Sequence, residues 1–581
     1  MLNRKWKYLL FLKELSLILI LIVVYNNFLS KNNVRKGEVF IQADGRGYYE
    51  YLPALLIYKD IHLHYLDTLQ TEYYTPEQNK LVGGGLIKDG HHINKYFIGT
   101  AVLQAPFFLA SHIVASGKTS TSPPDGFSYP YQRGIWFAAI FYLFAGMVVL
   151  RKLLETYEIN QWWIYFIQLA TIFATPLLFY TLYDSAYSHV YSFFLISCFL
   201  YLVRNYFLFG KRKYILWAMV VLGFTVIVRP VNILVLIFTP LLADSFREYL
   251  SRLKTLFAQH LRFFLSGCLL FGMVLSIQLV ISYMQTGSPF SYNYGTERFF
   301  FSDPHFSDFL FSYQKGFFLW TPWWFVVFVS AFICWLANAA YYKLISFFLA
   351  FSLLIYVLSS WHAWSYGGSL GQRPMIDFYS AFILAFVPLI KEPRKIWKGI
   401  LLLAVLPAIT VMQIQTFQYK KAIILWDGMT KEQYWKVFLS TNEKYGWYFW
   451  KEPFPVGTLR HKTMLAGELS PSLYPGYLDT AILIKKGVID SLSVFGEIRF
   501  QLDREADNEF MEIYLRDEKD SVQYYTLQRF FYNNERLVNV VYKFELPENK
   551  MDIIKFQLLI QNVRQPLKIK EVCFSTYNSL N

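Results

Sequence analysis

Long apolar runs recur along the chain, separated by short polar and basic breaks. Roughly, they cover residues 9–29, 131–150, 162–182, 187–208, 214–228, 231–243, 261–283, 316–336, 344–358, 375–390 and 400–414. That makes about eleven candidate spans of about 15 to 24 residues, near the length a helix needs to cross a bilayer. Backbone groups in lipid must pair within their own segment, so each run predicts a helix. From about residue 477 the period changes to two. Short alternating runs at 496–504, 509–517, 522–530, 539–547, 553–561 and 567–575 are divided by polar turns and predict a small β-sandwich-like domain. Between the two regions, residues 425–438 predict a short amphipathic helix with Thr430 and Gln433 at capping-box spacing. The expected organisation is a membrane helix bundle over 1–415, a linker with an amphipathic helix over 416–476, and a β-domain over 477–581.

Composition agrees with the membrane class. Of 581 residues, 55% are hydrophobic and 20% aromatic, and only 17% are charged, whereas soluble chains carry about 25% charge. The net charge of +14 is therefore sorted by membrane side before any nucleic-acid partner is considered, and none is expected. Basic clusters at Arg4-Lys5-Lys7, Arg151-Lys152, Lys211-Arg212-Lys213, 246–262, Lys343 and 391–398 fall in alternate connections. Lys and Arg collect on the cytoplasmic side, which places the N-terminus there and the tail outside. Counting the apolar segment 97–116 as a span would reverse every later connection, so it is expected to be an interfacial or re-entrant helix. The N-terminal 30 residues have a basic start but no small-x-small cleavage site, which predicts an uncleaved first helix. The four cysteines, Cys198, Cys268, Cys334 and Cys573, make no disulfide framework.

The long outer connection, 30–130, holds the first candidate for chemistry. Asp44 lies in "FIQADGRGYYEYLPALL", before an aromatic segment expected to lie as an amphipathic helix on the membrane surface. A carboxylate there either caps a turn or serves a reaction. A late outer connection, "WHAWSYGGSLGQRPMIDFY", supplies Trp361, Trp364, Gly368, Gln372 and Arg373. Its glycines allow backbone to approach a ligand, and an arginine at a span end needs a partner or an anion. Arg229, Lys315 and His189 also fall near outer span ends. The histidine pairs at 62/64 and 91/92 have no evident third ligand, so no metal site is assigned; a divalent cation is left open.

The segment around Asp44, the proline-containing segment "NKYFIGTAVLQAPFFLASHIV", the many spans and the outer tail together resemble the GT-C glycosyltransferases. The nearer likeness is to the branch of protein O-mannosyltransferases and lipid A aminoarabinose transferases. The resemblance covers about the first 410 residues. It implies a hexosyl- or pentosyltransferase of the bacterial inner membrane with a periplasmic C-terminal domain. It implies a polyprenyl-phosphate sugar donor, a protein, lipid or glycan acceptor, and contact with membrane lipids. Asp44 matches the family's catalytic aspartate as general base, and inversion is expected; an inverting reaction needs only one carboxylate, because phosphate is already a good leaving group. The family's first loop often carries an acidic pair, but here Gly45 follows Asp44. A second acid would come from Glu50, Asp60 or Asp67. Arg373, Arg229 and Lys315 are the candidates for the donor phosphate, and Trp361, Trp364, Gly368, Gln372 and His189 for the substrate loop. Two other classes compete: an O-antigen-type ligase or polymerase, and a non-enzymatic lipid-linked-sugar flippase or transporter. Convergence of Asp44 and Arg373 on one outward cavity would favour the transferase.

Overall fold

A computed structural model describes residues 39–69 and, apart from short breaks, 86–446, together with the strands that follow. The expected first span, 9–29, lies outside the described residues. The chain divides into two compact units, Met1–Thr416 and Phe417–Asn581.

The first unit is helical. Among the described residues its first helix is the short α1 (Ala43–Tyr49), which leads through Tyr51–Pro53 into a π-helical turn, Ala54–Tyr58. A small antiparallel ribbon, β1 (Leu86–Lys88) with β2 (His91–Ile93), precedes α2 (Gly99–Ala115). There follow α3 (Tyr129–Glu155), α4 (Gln161–Phe173), α5 (Leu177–Leu182), α6 (His189–Phe209) and α7 (Lys213–Val228). A 3-10 helix, Pro230–Leu242, turns through 117° into α8 (Phe246–Ala258). The rest of the bundle is α9 (Leu261–Thr286), α10 (Pro322–Ala337), α11 (Tyr341–Ser359), the mixed segment Arg373–Lys391, and α12 (Ile396–Lys420).

Among the described residues, six helices are long and apolar enough to cross a membrane, or seven if the bent pair counts as one span; α2, α7 and α10 are shorter apolar helices. The differences from the expected spans have local causes. The run at 162–182 divides because Pro176 cannot donate into a helix, so α4 stops at Phe173 and α5 starts afresh. The run at 231–243 follows Pro230, contains Pro240 and winds as a 3-10 helix.

The aromatic segment after Asp44 is not a surface helix. Tyr49, Tyr51 and Leu52 are buried in a core with Phe108, Phe127, Tyr131 and Ile135 from α2, α3 and the preceding loop. Apolar residues all around a helix call for burial on all sides rather than on one face. Here Tyr48, Tyr49, Glu50, Tyr51 and Leu52 are consecutive and all buried.

In the second unit, the helix α13 (Lys431–Val437) is closed by the expected capping box: the Thr430 hydroxyl accepts from the Gln433 N–H, and the Gln433 side chain accepts from the Thr430 N–H. Among the described residues, nine strands follow: β3 (Leu459–Met464), β4 (Ser470–Pro471), β5 (Tyr477–Leu483), β6 (Phe495–Leu502), β7 (Phe510–Asp517), β8 (Val522–Arg529), β9 (Asn539–Glu545), β10 (Ile553–Gln561) and β11 (Ile569–Tyr577). They form a five-stranded sheet in the order β4-β5-β10-β7-β8 and a four-stranded sheet in the order β3-β11-β6-β9, with antiparallel pairings. β3 and β4 fall in the stretch expected to be linker. Their short polar sequences, LRHKTM and SP, carry no alternation, and their pairing with β11 and β5 holds them in the sheets.

Candidate active site

Asp44 sits in the first turn of α1, one residue after Ala43, whose φ of 45° turns the chain into the helix. The approach is pinned by Gln132 of α3, whose side-chain oxygen accepts from the Phe40 and Ile41 N–H groups at 2.8 and 3.0 Å. Gly45 explains why no second acid follows Asp44. A Cβ there would lie 2.9 Å from the Ala186 Cβ and 3.0 Å from the Tyr187 ring, so position 45 has no room for a carboxylate.

Both carboxylate oxygens of Asp44 are engaged. The Arg373 guanidinium is 2.6 Å from Oδ2, and the Tyr96 hydroxyl donates to Oδ1 at 2.7 Å. Asn94 sets Tyr96 in place: its side chain donates to the Gly47 carbonyl at 2.7 Å and accepts from the Tyr96 N–H at 2.9 Å. Arg373 lies over the Tyr187 ring, 5.4 Å from its centroid. Burial pushes the Asp44 carboxyl upward. Arg373, the Tyr96 hydroxyl and Lys95 outweigh burial and hold it below the ordinary carboxylate range. The side chain keeps 33% exposure and so remains reachable.

Beside this pair is a buried acid. Asp184, in the connection between α5 and α6, accepts from Gln42, the residue that caps α1, at 3.4 Å. Burial pushes it up to about 6, against Gln42 and Arg373.

A second ion-paired group braces the same end of the bundle. Asp377 is fully buried; one oxygen meets Arg229 at 2.9 Å and the other meets His189 Nδ1 at 2.7 Å. His189 packs edge-on against Tyr180 and stacks beside Tyr187, the ring that supports Arg373. A third group lies on the other side of Tyr96. Lys95 meets Glu297 at 2.6 Å and sits over the Tyr96 and Tyr294 rings. His362 is 3.8 Å from Glu297, and Tyr294 and Phe299 pack against Trp361.

The expected residues therefore divide. Asp44 and Arg373 are in contact, and Arg229 and His189 share Asp377. Trp361 stands by Tyr294, and Trp364 stacks on His305. Gln372 is buried, with a long 3.4 Å contact to the Trp364 carbonyl, and Gly368 is exposed in the turn before it. Lys315 is fully buried before the helix Phe317–Trp320, its N–H donating to Ser312.

Of the second-acid candidates, Glu50 faces the core and is paired with Arg46 at 2.9 Å. Two residues around a helix from Asp44, Arg46 points to the opposite face. Asp60 is a local cap, accepting from the N–H groups of His62 and Tyr65. The Asp67 side chain lies outside the description. The residues not anticipated are Lys95, Tyr96, Asp184, Tyr187, Glu297 and Asp377. Asp377 carried a usable signal: an acid inside an apolar run is expensive unless paired. Among the described residues, no group of three or more His, Cys, Asp or Glu side chains is placed to hold a metal ion.

The apolar helices and this charged end define a polytopic helical membrane protein. No family model matches the chain, and no curated protein matches it. Among solved structures, it is similar to the arabinosyltransferase EmbB from Mycobacterium smegmatis, at 8% identity and a TM-score of 0.30, over 89% of this chain. The chain spans 66% of the length of that protein.

Proposed function

We propose that the protein is an integral-membrane glycosyltransferase that moves a sugar from a polyprenyl-phosphate donor to an acceptor hydroxyl on the outer face of the membrane. The observation that carries this reading is the convergence of Asp44 and Arg373, 2.6 Å apart, from connections more than 300 residues apart in sequence. A transfer from a lipid phosphate needs an ionised carboxylate for the acceptor proton and a cation for the leaving phosphate, held within one reach.

In the reaction, the acceptor oxygen attacks the anomeric carbon and its proton passes to Asp44. The bond between that carbon and the phosphate oxygen breaks, and its electron pair leaves with the phosphate, which Arg373 receives. A single displacement inverts the anomeric centre. Arg229 and His189 serve by clamping Asp377, and His189 stacks beside Tyr187, the ring under Arg373. Trp361, with Tyr294 and Phe299, offers an aromatic wall suited to a sugar ring. Asp184 is the second acid on this reading, protonated more readily than Asp44. On this reading the N-terminus lies in the cytoplasm and the sheet-rich unit in the periplasm of a bacterial inner membrane, an orientation supported by the basic connections.

The test incubates the purified chain with a panel of polyprenyl-phosphate sugars and candidate acceptors. Sugar-dependent release of free polyprenyl phosphate is the expected result. No release from any donor, with donor counter-flow in sealed vesicles instead, would assign the protein to transport.

A further inference from the structure

At the far end of α6 and α7 from the charged site, α7, α8 and α9 enclose a cleft of about 640 Å³ lined by Arg212, Gln259, Leu261, Arg262, Phe263 and Ser266. α6 has 21 residues between His189 and Phe209. At about 1.5 Å per residue, the cleft lies on the order of 30 Å from the Asp377 group. It is thus separate from the candidate active site.

The lining has two guanidinium groups and no carboxylate. Arg212 lies over the Phe263 ring, 4.7 Å from its centroid, which fixes it at the cleft wall. Neither Arg212 nor Arg262 has an ion-pair partner among the described residues. The acid nearest in sequence on α8, Glu248, is taken up by Arg252 and by the Asp244 N–H.

The surroundings have the form of a membrane interface. α8 leaves the 3-10 helix at 117° and exposes Phe246, Leu250 and Phe257 at 56%, 48% and 52%. Such a helix, apolar on one side and basic on the other, lies in the headgroup plane. From the cleft, an apolar ridge descends α9: Leu261, Leu265, Leu269 and Met273 recur every four residues, all exposed. At about 1.5 Å per residue the ridge runs on the order of 18 Å, about half the ~30 Å hydrocarbon core.

We propose that this cleft binds the phosphate headgroup of an anionic phospholipid, whose acyl chains lie along Leu265, Leu269 and Met273. Two forked, uncompensated guanidinium groups match a phosphodiester. The ridge selects a lipid over a free anion, since its apolar contacts exist only for a molecule with a tail. The proposal is independent of the chemistry assigned to Asp44.

The test uses the full chain reconstituted in nanodiscs of phosphatidylglycerol or phosphatidylcholine, gently extracted and weighed by native mass spectrometry. Retention of phosphatidylglycerol but not phosphatidylcholine is expected. It should fall about tenfold or more in Arg212→Gln/Arg262→Gln and fall less in Arg212→Lys/Arg262→Lys. Arg247→Gln/Lys254→Gln, on the adjoining helix α8 but outside the cleft lining, should leave retention unchanged. Equal retention of the two lipids would overturn the proposal, as would equal loss in the two glutamine variants, which would mean diffuse surface charge. Displacement of phosphatidylglycerol by millimolar inorganic phosphate would overturn it as well, since the site would then be one for a free anion. All the substituted positions are exposed or half-buried, and circular dichroism confirms that each variant is folded.

Discussion

The sharpest consequence of the geometry follows from replacing Asp44 with asparagine. In the resting protein, Oδ1 accepts from Tyr96 and Oδ2 faces Arg373. An amide nitrogen cannot face a guanidinium, so the asparagine must turn its oxygen to Arg373 and its nitrogen to the Tyr96 hydroxyl oxygen. That arrangement keeps both contacts and loses the charge. A hydrogen bond to a charged group contributes about 1.5 to 3 kcal/mol; Asp44 is a third exposed, so screening places the stability loss at or below the lower figure. The variant should therefore fold, with a small fall in thermal midpoint. Turnover should drop far more, since loss of a general base costs about 100- to 10,000-fold, or about 2.7 to 5.5 kcal/mol in the barrier. Donor binding should not weaken. On the proposed function, Asp44 competes as an intramolecular anion with the donor phosphate for Arg373, and its removal should tighten binding, by up to about tenfold for 1.4 kcal/mol. The assay measures single-turnover sugar transfer and donor affinity on the same purified variant. Near-normal turnover would remove Asp44 as the base. Weakened donor binding in a folded variant would show that Arg373 does not receive the phosphate.

Arg373→Gln should weaken donor binding by about 10- to 150-fold for the same 1.5 to 3 kcal/mol. Because Arg373 holds the Asp44 carboxyl low, its removal should also move the acid limb of the kcat/KM profile to higher pH; an unmoved limb would mean the limb belongs to another group. Gly45→Ala puts a Cβ 2.9 Å from Ala186, and overpacking of about 1 to 3 kcal/mol should lower both the thermal midpoint and turnover. Glu50→Ala removes the buried carboxylate that accepts from Arg46 at 2.9 Å and should lower the thermal midpoint, with turnover per folded molecule unchanged. Glu50 is pushed up from 4.5 to about 7 by burial, against Arg46. A raised carboxyl pKa means the folded state holds the proton more tightly. Its contribution is full below 4.5 and is lost as pH rises through 7, a dependence that Glu50→Gln should abolish in thermal unfolding.

The bundle was legible because apolar run length and basic punctuation are sequence properties. The long helices fall where those runs fall. What the runs could not show is local: Pro176 and Pro230 break or rewind segments whose hydropathy is continuous. The surface helix was misread because tyrosine is both an interface residue and a core residue, and only the packing of Phe108 and Phe127 on Tyr49 decides between them. At the site, Asp44 and Arg373 stood out as charges in unusual settings. Tyr96, Asp184 and Glu297 did not, because nothing in a single sequence says that residue 96 lies under residue 44 or that residue 297 lies beside residue 95. Conversely, Glu50 and Asp60 were drawn in by nearness along the chain, which does not put side chains on one face: six residues on from Asp44, Glu50 lies about 240° around a helix, and Asp60 lies beyond the π-helical turn.

The contact between Asp44 and Arg373 also bears on how the proposed reaction would be timed. A carboxylate held low by a guanidinium is ionised but weakly basic, and base strength counts in proton transfer. An incoming phosphodiester offers Arg373 a second anion. As the guanidinium turns toward the phosphate, its hold on Asp44 slackens and the carboxylate grows more basic, at the moment the acceptor hydroxyl is in place. Tyr96 still holds Oδ1, so the freed Oδ2 is the atom left to take the proton. Without donor, the pair stays closed and a water molecule at the site meets a base whose strength is suppressed. Hydrolysis of donor in the absence of acceptor should therefore rise in Arg373→Lys, whose ammonium lacks the fork that holds both anions. Hydrolysis no faster than in the wild-type protein, measured as acceptor-free release of polyprenyl phosphate per donor bound, would refute this coupling.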